Sequence, residues 1–336
     1  MAHYLITGHT GFKGAWLIFL LKTQGHDVSG LALDPLPESI FDLTNLENDL
    51  VHDFRVDIRN RDETVEAIRL AQPDYLIHMA AQPLVREGYR NPRYTYETNV
   101  FGTLNVLEAV DKTDSVRAHL IVTTDKVYLD QGLNRPFVET DPLGGKDPYS
   151  ASKAMADILT QEYLSRAGAK PGAIARAGNV IGVGDVSDDR LIVDLVKSLL
   201  HEKPISIRNP THVRPWQHVL DCLDGYLLLL QASCSENPNS IWNIGPQDGS
   251  NLSVADVLDY AERIVSRLEV QYKPSHDLPE EEQLNLDSSK IQKILGWQGR
   301  LDSETAIQWA LAEAAAPRVG MRERIMNQIE EWSNLA

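Results

Sequence analysis

The sequence predicts an α/β fold: a doubly wound parallel sheet followed by a smaller, α-rich C-terminal lobe. Three observations carry the expectation. Short apolar runs alternate with helix-length segments through the first half of the chain. A glycine-spaced turn joins the first run to the first helix. Near residue 176 the pattern gives way to loops rich in Gly, Asp, Asn and Pro between helical stretches. The predicted strands are Tyr4–Thr7, Val28–Leu33, Val51–Val56, Tyr75–Met79, His119–Thr123 and Ala173–Ala175. Segments such as YLIT and HLIVT lack polar alternation, as strands covered on both faces do. The intervening helices are Lys13–Thr23, Arg61–Ala71, Arg93–Val110 and Tyr149–Arg166. Strands that alternate with helices of this length make βαβ units with right-handed crossovers. The second part carries helical stretches at Leu191–His201, Val219–Ala232, Val254–Leu268, Ser288–Leu295 and Ser303–Ala315, with loops at 178–190, 208–216 and 236–251. A division at 1–176 and 177–336 follows. No Gly/Ser linker separates the two parts, so the chain is expected to cross between them. The acidic run Glu280–Glu282 reads as a solvated loop.

Composition narrows the function. The chain has 336 residues with 32 Lys+Arg against 48 Asp+Glu, a formal charge of −16 that argues against nucleic acid as a partner. No apolar run reaches the roughly 18–20 residues of a membrane helix, and Met1 leads almost at once into a strand rather than a leader segment. The two cysteines, Cys222 and Cys234, have no metal-ligand spacing. That speaks against a disulfide scaffold or a cysteine-based metal site and for a reducing, cytoplasmic setting.

The chemistry is concentrated at two places. Gly8, Gly11 and Gly14 space a GxxGxxG turn between the first strand and helix, with Thr10, Phe12 and Lys13 between and beside them. Glycines there permit a tight turn and let backbone N–H groups at a helix N-terminus reach a pyrophosphate, the arrangement of a Rossmann-type dinucleotide site. Asp34 stands 20 residues after Gly14, where a carboxylate can accept from a ribose hydroxyl; a turn residue is the alternative. With no Arg directly after it, NAD is favoured over NADP. Asp57 and Ile58 close the third strand, where the carboxylate either accepts from the adenine amino group or caps the strand end. Ala80, Ala81 and Gln82 follow the fourth strand, where small residues let the cofactor lie against the backbone. At the second place, Tyr149 and Lys153 form a YxxxK pair on one helix face. A neighbouring ammonium is expected to draw the phenol pKa down so that it acts as a base on a hydroxyl. Thr123, Thr124, Asp125 and Lys126 end the fifth strand, at the edge where open α/β sheets place their sites.

Together, GxxGxxG, the HMAA strand end, the Asn99–Thr103 segment NVFGT and YxxxK resemble the extended short-chain dehydrogenase/reductase family of nucleotide-sugar epimerases and dehydratases. GHTGFKG, AAQPLVR, TDK, LGGKDPYSASK, ARAGNVIG, RPWQHV and LDSSKIQKILGW, spread over nearly the whole chain, resemble its CDP-glucose 4,6-dehydratase branch. The resemblance implies NAD as cofactor, with Asn99 and Thr123 among its contacts. It also implies a redox-neutral loss of water: Tyr149 takes the sugar C4-hydroxyl proton as hydride leaves C4, water departs across C5–C6, and hydride returns to C6. In that scheme Thr124 holds the C4 oxygen, Asp125 protonates the departing C6 hydroxyl, and Lys126 stands where related dehydratases carry Glu. Asn179, Arg190, Arg208, Arg214 and His218 are the implied substrate contacts, the guanidinium groups suiting a diphosphate. Two departures fall where nucleotide or sugar fit is decided. Residues 182–186 read GVGDV rather than GGGDW, and the stretch Tyr128–Asp141 is shorter than the resembled pattern and lacks that pattern's aromatics. An epimerase or reductase, a dehydratase of a GDP-, dTDP- or UDP-sugar, and a non-catalytic NAD-binding protein are the competing expectations. The family commonly pairs through two helices, here Arg93–Val110 and Tyr149–Arg166. The last expectation is a locally positive cleft within an acidic protein.

Overall fold

The computed structural model describes residues 1–132, 135–235, 240–246, 251–264, 268–273, 285–312 and 320–335. Its centre is a sheet of seven parallel strands. Six come from the first half of the chain: β1 His3–Thr7, β2 Asp27–Ala32, β3 Asp53–Arg55, β4 Tyr75–His78, β5 Ala118–Val122 and β6 Gly172–Ala177. Across the sheet they run β6-β5-β4-β1-β2-β3, and Ser240–Ile244 completes the edge beside β6. That seventh strand lies inside the expected loop 236–251. The chain returns from the C-terminal part to extend the sheet, because SIWNI buries Trp242 and Ile244 against the helix Val219–Ser233. Strand order reverses between β1 and β4, and Thr7 at the end of β1 pairs with Leu31 of β2 on one side and His78 of β4 on the other. The carboxyl edge at that reversal is where a ligand crevice opens.

Alternation decides the two faces. Tyr4 and Ile6 pack with the helices Phe12–Thr23 and Val219–Ser233, whereas Leu5 packs with Ala67, Ile68, Val106 and Val110 from the opposite side. The helix Phe12–Thr23 is buried continuously from Gly14 to Leu21, since the C-terminal helices cover the side that the sheet does not. One of these, Met321–Ser333, was not anticipated, although Met321, Ile325, Ile329 and Trp332 bury one stripe at helical spacing. The smaller lobe has its own core of Ile192, Leu195, Ile205, Trp216, Val257, Leu258 and Ile307.

The expected helix Arg93–Val110 is interrupted. Pro92–Tyr96 passes through a π-helical turn, Glu97–Phe101, into Gly102–Lys112. Asn99 explains the widening: its side chain accepts from the Gln82 N–H at 2.8 Å and donates to Ser152 Oγ at 2.9 Å. Such turns recur beside functional sites. The expected ends of the helices at 254–268 and 303–315, the run 280–282 and parts of the loop 236–251 lie outside the described residues.

Candidate active site

A cleft of about 1030 Å³ runs along the carboxyl edge between the sheet and the smaller lobe. Gly8, Thr10, Gly11, Phe12, Lys13, Gly14, Asp57, Ile58, Ala80, Ala81, Thr123, Thr124, Asp125, Lys126, Tyr149, Lys153, Asn179, Arg190, Arg208 and Arg214 all line it. Four expected site residues do not. Asp34 lies two residues beyond β2 with a side chain 90 % exposed, its carboxylate 4.0 Å from Arg55. Gln82 and Asn99 are buried behind the wall, bonded to each other and to Thr95 and Ser152. His218 sits in the core, edge-on to Trp16 and Trp309, and caps the helix Val219–Ser233 by accepting from the Leu220 N–H. Asp34 therefore lies outside the cleft, and the other three are buried away from it.

At one end the first helix meets the cleft. Its N-cap is Gly11, no side chain caps it, and no acid occupies its first turn, so its leading N–H groups face the opening. Gly8 has φ +75°, and a Cβ on it would stand 2.8 Å from the Ala80 nitrogen. A Cβ on Gly14 would stand 2.4 Å from the Gly8 oxygen. The turn thus lies flat on the β4 end, and a dinucleotide pyrophosphate fits over it. Asp57 beyond β3 is gripped by Arg59, whose Nε lies 3.0 Å from Oδ2, and Arg59 stacks over Tyr94 at 4.7 Å. That guanidinium holds the Asp57 carboxyl below its usual range.

At the other end Asp147 caps the helix Pro148–Ser165 through the Ser150 N–H at 3.0 Å, and Pro148 starts its first turn. Lys153 is one turn further on and donates to the Val122 carbonyl at 2.8 Å. Burial, then the positive charge of Lys13, bring the Lys153 ammonium down to about 7. Tyr149 departs from expectation. Burial pushes its phenol up to about 12, against the opposing pull of the Thr124 hydrogen bond and Arg190. The desolvation of the phenolate outweighs nearby cations, so the free cleft holds a neutral phenol. Asp125 is buried at 3 % exposure. Its Oδ1 accepts from Thr124 Oγ1 at 2.9 Å, and its Oδ2 has no hydrogen-bond partner within the protein. Burial raises its pKa, with Lys126 and Thr124 opposing. A carboxyl so placed keeps its proton longer than a solvated one.

The arginines come from three separate segments of the lobe. Arg190 precedes the helix Leu191–His201, Arg208 follows the strand Ile205–Ile207, and Arg214 lies 3.3 Å from His212 Nδ1. Sequence reading missed His212, Arg86 and Tyr89, which also line the cleft. Arg86 reaches across to Asp189 at 3.1 Å. Its place just after β4, at the ligand edge of the sheet, was the available signal. Among the described residues the lining carries eight Lys or Arg and eight Asp. The cleft is therefore charge-balanced within a chain of −16 rather than positive. No group of three or more His, Cys, Asp or Glu side chains among the described residues is placed to hold a metal.

Fold and cleft together define a dinucleotide-dependent enzyme, with Tyr149 and Lys153 both on the cleft wall. Residues 4–245 match the model of the NAD dependent epimerase/dehydratase family. Over 320 residues the chain is 37 % identical to the CDP-glucose 4,6-dehydratase of Salmonella typhimurium, covering 92 % of this chain and 87 % of that protein. The NAD complex of Thermus thermophilus UDP-glucose 4-epimerase superposes with a TM-score of 0.81 at 23 % identity, over 94 % of this chain and 99 % of that one. The NAD complex of Bacillus anthracis dTDP-glucose 4,6-dehydratase superposes with a TM-score of 0.79 at 20 % identity over the full length of both. The chain belongs to the NAD dependent epimerase/dehydratase family.

Proposed function

We propose that the enzyme converts CDP-glucose into its 4-keto-6-deoxy derivative by eliminating water. The observation that carries the reading is the run Thr124-Asp125-Lys126 facing Tyr149. It places a hydroxyl, a buried carboxyl with one unpartnered oxygen and an amine around one point of the cleft. The Gly8–Gly14 turn would hold NAD, which when bound would supply a reversible hydride acceptor. Tyr149 takes the C4-hydroxyl proton while Thr124 holds the C4 oxygen. Lys126 removes the C5 proton, made acidic by the new ketone. Asp125 gives its proton to the C6 hydroxyl, which leaves as water. The proton gained by Tyr149 balances the one Asp125 surrenders, and Lys126 returns its proton to C5 as C6 is reduced. Arg190, Arg208 and Arg214 suit the diphosphate, since guanidinium forks match phosphate oxygens. Lys126 and the 37 % identity to a CDP-glucose enzyme favour cytosine as the base.

The test is incubation of the purified enzyme with CDP-, dTDP-, UDP- and GDP-glucose and NAD, followed by mass spectrometry. Loss of one water from CDP-glucose, fastest of the four, is the expected result. Epimer formation without water loss, or no turnover of any sugar nucleotide, overturns the reading.

We further propose a homodimer. Phe101, Met155 and Ile158 are 58, 49 and 54 % exposed on the two neighbouring helices around Gly102–Lys112 and Pro148–Ser165. Large apolar side chains grouped this way suit a self-complementary face. Cys222 and Cys234 are both free thiols, which suits a reducing, cytoplasmic compartment.

A further inference from the structure

Behind the cleft lies an ion pair that the reaction scheme does not use. Asp157 and Arg176 have side chains 0 and 1 % exposed. Arg176 grips the carboxylate with Nε at 2.8 Å and Nη2 at 2.7 Å. The same carboxylate accepts from Thr123 Oγ1 at 3.0 Å and from Gln161 Nε2 at 2.7 Å. Arg176 donates onward to the Tyr128 hydroxyl at 3.0 Å and to the Glu139 carbonyl at 3.1 Å, and Tyr128 donates to Asn243 on the edge strand at 2.5 Å.

Stability alone does not account for such a pair. Desolvating two charges offsets most of their attraction, and apolar replacements of similar volume serve a core as well or better. Its location is more informative. Asp157 stands four residues after Lys153 and eight after Tyr149 on one helix face. Thr123 directly precedes Thr124, Asp125 and Lys126. Arg176 is the penultimate residue of β6, three before Asn179. One carboxylate therefore ties together the two segments that carry the reacting side chains and the strand that leads to Asn179.

We propose that Asp157, locked by Arg176, is a positioning residue of the reaction: it fixes Lys153 and the Thr124–Lys126 segment relative to each other and supplies the buried negative charge that offsets the Lys153 ammonium. The charged and titratable groups around Lys153 are Lys13 from the first helix, His78 from β4, Tyr149 one turn earlier on its own helix, and Asp157 one turn later, whose carboxylate is bound by Arg176 from β6. Asp157 is the one anion among them. The proposal rests on Tyr149 and Lys153 being the proton-transfer pair.

The experiment compares Asp157→Asn, Asp157→Glu, Thr123→Val and Tyr149→Phe as full-length enzymes. Thermal midpoint, kcat, KM for the sugar nucleotide and the pH profile of kcat are measured for each. Asp157→Asn is expected to lose about tenfold or more in kcat, with KM within about threefold. The alkaline limb of its profile moves to lower pH, because the ammonium loses the nearby negative charge and stands beside an Arg176 with no carboxylate to bind. Asp157→Glu keeps the charge and so keeps the limb in place, while kcat falls. Thr123→Val loses several-fold in kcat at unchanged KM, and carries the test should Asp157→Asn fail to fold. A folded Asp157→Asn enzyme with parental kcat and profile overturns the proposal, as does a parental kcat in Thr123→Val. Tyr149→Phe separates the two readings: an active Tyr149→Phe enzyme defeats the proton-transfer assignment itself, whereas an inactive one beside a parental Asp157→Asn defeats only the positioning role.

Discussion

Asp125 and Lys126 are neighbours in the chain with opposite situations. The carboxyl is buried with a raised pKa, and the amine is half-buried beside it. Burial disfavours the anion, so Asp125 reaches neutral pH with more of its proton than a surface aspartate. Asp125→Asn cannot give up a proton, and water loss should fall by about 10²–10⁴-fold while C4 oxidation persists. Reduced NAD accumulating by absorbance in a single turnover checks this. Lys126→Ala should suppress deuterium uptake at C5 from heavy water, followed by NMR; rapid exchange in that variant sinks the base assignment. The TDK and YxxxK residues were legible because each is a short local pattern. The protonation state of Tyr149 was not, because burial, a tertiary property, outweighs the charge that its spacing from Lys153 suggested.

The element that sets the cofactor end is the turn into the helix Phe12–Thr23. Its glycines are required by packing as much as by a ligand. A Cβ at Gly14 would stand 2.5 Å from His9 Cα. Gly14→Ala should therefore displace the turn at about 1–3 kcal/mol of stability. It should also weaken NAD binding about tenfold or more, measured by fluorescence titration beside a melting curve. An Ala enzyme with parental affinity shows the turn to be less confined than its contacts indicate. The π turn at Glu97–Phe101 illustrates the opposite case. Its amphipathic pattern reads as an ordinary helix, and only the bonds of Asn99 to Gln82 and Ser152 explain the interruption.

At the scale of the molecule, three buried histidines link stability to pH. Burial lowers His78 to about 3, His119 to about 4 and His218 to about 3. Unfolded, each titrates near 6.5. The unfolded chain thus binds more protons below that pH, and the stability these neutral rings contribute is fully present above about 6.5. It is lost as pH falls toward 3–4, with each ring costing about 2 kcal/mol by pH 5. Asp125 and Asp221, raised by burial, act in the reverse sense, their contribution fading as pH rises through their folded pKa. Denaturant melts from pH 7 to 4.5 should show a steep decline, and His119→Leu should flatten it by about one proton. An unchanged slope would count against a neutral His119. Ile158→Asp should leave a folded monomer by light scattering if the exposed helix pair is the dimer face; an unaltered mass places the contact elsewhere.

The sequence by itself determined the α/β layering, six of the seven sheet strands, the glycine turn and the TDK and YxxxK patterns that line the cleft. All of these are local: periodicity, turn chemistry and spacings of a few residues. Only the tertiary structure decided what closes the sheet, where the cleft's charges balance and which polar residues face it. Ser240–Ile244 is an unremarkable apolar segment until β6 offers it an edge. His218 and Arg214 are four residues apart in one motif, yet one caps a core helix and the other lines the cleft. Arg86, His212 and the Asp157–Arg176 pair acquire their roles from partners or walls distant in sequence. Burial and long-range contact are properties of the folded chain, and they, rather than residue type, set the charge and orientation of each group at this site.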